Sequence, residues 1–279
     1  MSDTSNAIEA EYSSTGLGER ILAALADAGV DTEELTPENL APADQIHGGG
    51  LAATASHAAI IPFGPDTRVL DIGCGIGGPA RYLAATFGCR VTGIDLTADF
   101  IDAARLLTEK MGLQDLVDFE CADATKLPFD DRAFDVVWGQ NVTMNIEDRT
   151  GFFAEVHRVL RPGGVMTLTE LAQGPSGAPD YPLTWAREPS YSFLIPPEQT
   201  RIHLEAAGFN ITDMRDTSES RAGVDKARAA GKSADPTPAS PLTIEFTRGD
   251  DYSVRRANSS KGILEGKLVN ILVVAERLN

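Results

Sequence analysis

The 279-residue chain is short of basic residues, cysteine, histidine and long apolar runs. Lys and Arg total 24 against 41 Asp and Glu, a formal charge of −17, so its overall field repels nucleic acid and anionic membranes. Three cysteines, Cys74, Cys89 and Cys121, are too few and too irregularly spaced for a disulfide framework. They are expected to be reduced thiols in small packing roles. His47, His57, His157 and His203 lack paired ligand spacing, so no metal site is expected. Apolar runs such as Ile271–Ala275 fall far short of the roughly 18 residues of a transmembrane helix. Met1–Tyr12 carries three acids and no Lys or Arg, unlike a signal peptide. These absences together predict a cytoplasmic protein with no nucleic-acid partner and no membrane association.

What is present divides into regions of different texture. Residues 1–64 are Ala-rich and helical in pattern, with Leu17, Ile21, Leu25 and Ala28 on one face and Gly29 as a stop. So short a segment cannot bury its apolar face alone, and it is expected to cap something larger. Residues 65–279 read as the main domain. Short apolar runs there alternate with helical patterns, the texture of an α/β fold with a mostly parallel sheet flanked by helices. The strands expected are Arg68–Ile72, Arg90–Ile94, Val117–Cys121, Phe134–Trp138, Val165–Glu170, Phe209–Met214 and Leu268–Ala275. Helices are expected around Phe100–Met111, with Thr97 as N-cap and Gly112 as stop, and over Thr150–Leu160 and Pro197–Ala207. Arg161-Pro162-Gly163-Gly164 reads as a turn into the fifth strand. Two stretches, about 172–197 and 216–250, read as insertions over the substrate side. Within the second, Asp216–Pro241 is rich in Ser, Ala, Gly, Pro and charge, and is expected to be partly helical or mobile surface.

The strand ending at Asp71-Ile72 runs directly into Gly73-Cys74-Gly75-Ile76-Gly77-Gly78. The glycines satisfy G-x-G-x-x-G, so a dinucleotide is the first ligand to weigh. Asp71 argues against it, because a carboxylate at the loop mouth is a poor neighbour for a pyrophosphate. S-adenosylmethionine carries an ammonium and a sulfonium, and an acid there can receive its amino group. Asp95 stands 20 residues beyond Gly75 at the end of the next strand, where it can accept ribose hydroxyls from either ligand. After the third strand, Asp123 can accept from an adenine amino group, Ala124 offers a backbone N–H, and Leu96 and Leu127 can cover the base. Three acids at three successive strand ends form a coherent nucleoside pocket, with Gly73, Gly75 and Gly77 as its floor.

With these motifs, the chain resembles the class I S-adenosylmethionine-dependent methyltransferases. Val69–Gly78, Gly93-Ile94-Asp95-Leu96, Asp123–Phe129, Phe134–Val137 and His157–Gly164 stand in that family's order and spacing. The resemblance covers residues 67 to about 215 and is nearest to a small-molecule branch with sarcosine/dimethylglycine N-methyltransferases and tocopherol-type C-methyltransferases. Asp44–Gly50 is similar to a segment that in this branch lies over the cofactor. The resemblance implies a Rossmann-like seven-stranded sheet with a reversed last hairpin. It also implies S-adenosyl-L-methionine as cofactor, S-adenosyl-L-homocysteine as product and a small-molecule acceptor. Asp216–Pro241 and Leu242–Asp251 do not match the branch.

On the substrate side the resemblance places the loop Gly139–Asn145 against both ligands, which points to Gln140 for cofactor contact and Asn141 or Asn145 for the acceptor. His47, in its Gly-rich segment, is the candidate base or anchor, with Asn145 beside it as the second catalytic candidate. Glu170 at the end of the fifth strand, with Tyr12, Trp185, Tyr191 and Phe193 around the acceptor, completes the expected substrate set. The expected reaction is methyl transfer to an amine nitrogen. O- or C-methylation, a nicotinamide-dependent oxidoreductase and a non-catalytic cofactor-binding protein are the alternatives, and a homo-oligomer is left open.

Overall fold

A strand that is apolar on both faces must lie inside a sheet covered on both sides. β1 (Arg68–Ile72) is such a strand, buried at every position after Arg68. The computed structural model describes Tyr12 and residues 14–220, 242–249 and 251–278. Its seven strands are ordered β3-β2-β1-β4-β5-β7-β6. They comprise β1, β2 (Arg90–Asp95), β3 (Val117–Cys121), β4 (Phe134–Gln140), β5 (Leu160–Gln173), β6 (Phe209–Asp216) and β7 (Leu268–Arg277). The pairs from β3 through to β5 are parallel, and β7 runs antiparallel to both β5 and β6. This is the mostly parallel, Rossmann-like sheet that the sequence predicts. Strand order reverses between β1 and β4, and a crevice opens outside the strand ends at such a point.

Helices cover both faces. α1 (Leu17–Asp27) buries Leu17, Ile21 and Leu25 against Phe100, Ala103 and Leu107 of α5 (Ala98–Lys110). α2 (Pro37–Asp44) starts on a capping box between Thr36 and Asn39 and ends at Asp44, whose carboxylate meets Arg81 of α4 (Gly78–Phe87) at 2.9 Å. Both partners of that ion pair are almost fully buried. α3 (Gly50–Ala58) brings His57 onto Trp138, with ring centroids 3.8 Å apart and Nε2 2.6 Å from Thr167 Oγ1. Burial pushes the His57 pKa down to about 3, so it is a neutral packing residue.

α6 (Arg149–Val159) and α7 (Pro197–Ala206) share the other core with Phe152, Phe153, Val156 and Leu204. β5 begins at Leu160, five residues before the expected start: Phe134 pairs with Leu160 and Val136 with Val165. The expected turn at Arg161–Gly164 is thus an irregularity within the strand, with Gly163 at φ 71°. β5 also runs on to Gln173, three residues past the expected end. Of the expected irregular stretch Asp216–Pro241, residues 221–241 lie outside the described residues. Beyond it the chain forms α8 (Glu245–Arg248) and α9 (Tyr252–Leu264). All three cysteines are free; Cys74 and Cys89 are buried, whereas Cys121, the last residue of the edge strand β3, is exposed. Among the described residues no helix is long and apolar enough to cross a membrane.

Candidate functional site

The crevice at the strand-order reversal holds a cavity of about 470 Å³, within the size range of small-ligand sites. Its floor is the glycine loop. Gly73 has φ 69° and a Cβ there would strike Val142; Gly75 has φ 55° and a Cβ would press on Ile46. These two positions need glycine for both conformation and space. The loop's own N–H groups are mostly consumed. Gly73 and Cys74 donate to Ile94 O, Gly75 donates to Asp95 Oδ2 and Gly77 donates to Cys74 O. Asp44 packs directly on Gly78 at the start of α4, where any side chain would collide with it. The loop therefore presents few free donors and an acid, the opposite of a pyrophosphate cradle.

Five further carboxylates line the cavity, with Glu147 and Asp148 beyond β4 and the other three at the glycine-loop end. Asp71 is 2% exposed and its Oδ2 has no partner among the described residues. Burial, and then the neighbouring charge of Asp95, hold its pKa well above the usual carboxylate range. Asp95 is raised by burial and partly restored by N–H donors: Thr97 donates to Oδ1 at 2.9 Å and Gly75 to Oδ2 at 3.0 Å. Each of its oxygens keeps a second acceptor site. Asp123 accepts from the Thr125 N–H and hydroxyl through Oδ1 alone. Leu96, Thr97 and Ala124 complete this end.

The opposite wall joins the N-terminal segment to the loop after β4. The Thr54 hydroxyl lies 2.6 Å from Gln45 Oε1, 3.0 Å from His47 Nε2 and 3.2 Å from Gln140 Oε1. His47 Nε2 is also 3.1 Å from Gln45 Oε1. This buried cluster ties the α2–α3 connection to the end of β4, with His47 and Gln140 on the cavity wall. Asn141, at φ 55°, and Asn145 also line the cavity, each with a buried Oδ1 that has no partner among the described residues. The Asn145 amide donates to Tyr12 Oη at 3.2 Å, and the Arg248 guanidinium lies 4.0 Å above the Tyr12 ring.

Residues 70–168 match the family model of a methyltransferase domain. That stretch runs from β1 into β5 and includes the glycine loop. Over 134 residues it is 37% identical to phosphoethanolamine N-methyltransferase 3 of Arabidopsis thaliana, covering 48% of this chain and 27% of that protein. Over 146 residues it is 37% identical to the sarcosine/dimethylglycine N-methyltransferase of Halorhodospira halochloris, covering 52% and 48%. The chain thus spans less than half the length of these curated relatives. In fold it is similar to the Streptomyces coelicolor geranyl diphosphate C-methyltransferase, whose crystal structure holds Mg2+, geranyl-S-thiolodiphosphate and S-adenosyl-L-homocysteine. The TM-score is 0.64 at 21% identity, with 81% of this chain and 76% of that one covered.

The cavity gathers Tyr12, His47, Asp71, Gly73, Gly75, Asp95, Leu96, Asp123, Ala124, Gln140, Asn141, Asn145 and Trp185 of the residues expected from sequence. Others are elsewhere. Glu170 is 1% exposed and its carboxylate is engaged by the hydroxyls of Thr143 and Thr200 and by Arg149 at 3.3 Å, so it clamps the surrounding elements and does not reach the cavity. Tyr191 packs beside Trp185 and Leu194 in a satellite core, and Phe193 gives its carbonyl to Arg149. Gly77 lies behind the loop against Phe119 and Arg81, and Leu127 belongs to the main core. The sequence reading missed a whole face of α9, where Tyr252, Arg256 and Ser259 line the cavity, and Arg248 of α8 beside it. Their i, i+4, i+7 spacing was present in the sequence, but polar residues at helical spacing read as a solvent face unless something packs over them.

Proposed function

We propose that the chain transfers a methyl group from S-adenosylmethionine to a small-molecule acceptor, with an amine nitrogen as the acceptor atom. The observation that carries this reading is Asp71, a buried carboxylate with an unpartnered oxygen beside a glycine loop whose N–H groups are mostly spent. Such a site pulls in a cation and has little to give a pyrophosphate, which disfavours a nicotinamide dinucleotide. When bound, S-adenosylmethionine supplies an electrophilic methyl group on a positively charged sulfur.

The chain's own residues then bind and orient. Asp71 receives the ammonium of the amino-acid portion, directly or through water. Asp95 turns its remaining acceptor sites to the ribose hydroxyls; Asp123 and Ala124 take the base, which Leu96 covers. Gln140 borders the amino-acid portion. On the acceptor side, the Oδ1 atoms of Asn141 and Asn145 accept from the amine N–H groups and so aim its lone pair. A protonated amine must first lose a proton, and His47 on the same wall is the group for that task. Tyr12 and Trp185 close the cavity, with residues 14–64 of the expected cap, the 172–197 lid and residues 242–249 of the expected 216–250 lid around them, which excludes water. Orientation in a dry cavity is the main source of acceleration here, since a thioether leaving group needs no acid.

The test is a labelled-methyl transfer screen over small amines, phenols and isoprenoids, with calorimetric titration of S-adenosylhomocysteine. Product from an amine, with micromolar binding of the homocysteine product, is expected. No binding at millimolar ligand would sink the reading, and product only from phenols or isoprenoids would change the acceptor atom.

A further inference from the structure

The cavity's acidic lining leaves one group unexplained by a nucleoside pocket. Arg256 projects from α9 into the cavity, and among the described residues it has no hydrogen-bond or ion-pair partner. The other arginine on the wall, Arg248, is committed: it donates to Thr184 O and lies over the Tyr12 ring. Arg255, next to Arg256 in sequence, faces away and holds the carbonyls of Leu183 and Thr184. That anchoring fixes the helix against the segment bearing Trp185. Arg256 is thereby aimed into the cavity by its neighbour's contacts, with Tyr252 one turn before it and Ser259 one turn after.

Resting on the methyltransferase reading above, we propose that the acceptor is an amine that also carries an oxyacid group, a carboxylate or a phosphate, and that Arg256 is the residue that selects it. In a chain of net charge −17, an anionic acceptor is repelled at long range and enters only where a local cation compensates. A guanidinium offers a planar pair of N–H donors that matches either oxyacid. A purely cationic amine gains nothing from that wall and meets its repulsion. A zwitterionic acceptor satisfies both ends, its nitrogen at the Asn141 and Asn145 oxygens and its acid group at Arg256.

The test is calorimetric titration of the full chain, saturated with S-adenosylhomocysteine, using two matched pairs: glycine against glycine methyl ester and phosphoethanolamine against ethanolamine. Wild-type protein is expected to bind the acid-bearing member of at least one pair about tenfold or more tightly than its counterpart without the acid group. The pair that shows the preference tells carboxylate from phosphate. In Arg256→Gln that preference disappears, while the melting temperature and homocysteine-product affinity stay unchanged; Arg256→Lys retains part of it. Equal binding within both pairs, no binding of either acid-bearing probe, or an undiminished preference in Arg256→Gln would overturn the assignment. A variant that loses only affinity for the homocysteine product would place Arg256 on the cofactor and overturn it too. Failure of wild-type protein to bind that product is a different result, and it strikes the methyltransferase reading itself.

Discussion

Asp71 holds an energetic cost that only a ligand repays. Its pKa is raised in the folded protein, so the fold binds this proton more tightly than the unfolded chain does. The sign follows: stability from this group is greatest below its unfolded value of 3.8 and falls as pH rises through the folded pKa. Asp71→Asn removes the ionisation and should raise the melting temperature of the ligand-free protein at neutral pH. The same change should weaken S-adenosylhomocysteine by about 1.5–3 kcal/mol, the range for a hydrogen bond to a charged group. Thermal melts and calorimetry on one pair of samples check both signs; a destabilised variant with unchanged affinity would show that Asp71 is only a loop anchor. The acid itself was legible from its place before Gly73. That its oxygen lacks a partner was not, because the burial that strands it comes from segments distant in the chain that pack around the end of β1.

Between elements, two buried polar clusters hold the site's walls. Thr54 joins Gln45, His47 and Gln140, so the cap is bonded to the end of β4 through one hydroxyl. Thr54→Val keeps the shape and leaves buried acceptors unpaired, which should cost about 1–3 kcal/mol in urea denaturation. Glu170 joins β5 to the loop after β4 through Thr143, to α6 through Arg149 and to α7 through Thr200. Glu170→Ala strands a buried Arg149 and should cost about 3–5 kcal/mol by the same measurement. The sequence pointed to Glu170 as a substrate residue because the fifth strand was expected to end there. Three more residues of strand move it inside the protein, and strand ends are set by the partner strand, here the Leu268–Asn270 stretch of β7.

At the scale of the whole molecule, the sheet order decides where chemistry happens. β1 sits between β2 and β4, so the glycine loop, Asp95 and the Gln140–Asn145 loop converge although they are far apart in the chain. A ligand that bridges this crevice touches the cap, the sheet and α9 together and binds only the folded state. S-adenosylhomocysteine at about 100 times its dissociation constant should therefore add roughly 2.7 kcal/mol, a rise of roughly 5–10 °C in melting temperature for a domain of this size. A scan with and without ligand measures it, and no shift at saturation would mean that the cavity is not the binding site.

Local pattern alone determined the seven strands, most of the helices and the three acids Asp71, Asp95 and Asp123 at one end of the cavity, because burial on both faces and glycine before a helix leave short-range marks. Asp95 is such a case: its place at the end of β2 was readable, whereas the bond it accepts from the Gly75 N–H was not. The other end of the cavity depended on tertiary structure. Arg248, Tyr252 and Arg256 lie more than 100 residues from Asn145, in a stretch with no distinctive local pattern, and they became site residues only when α8 and α9 packed over the Trp185 segment. Residues that bind the invariant part of a reaction are marked by backbone geometry; those that choose the acceptor are ordinary side chains brought together by packing.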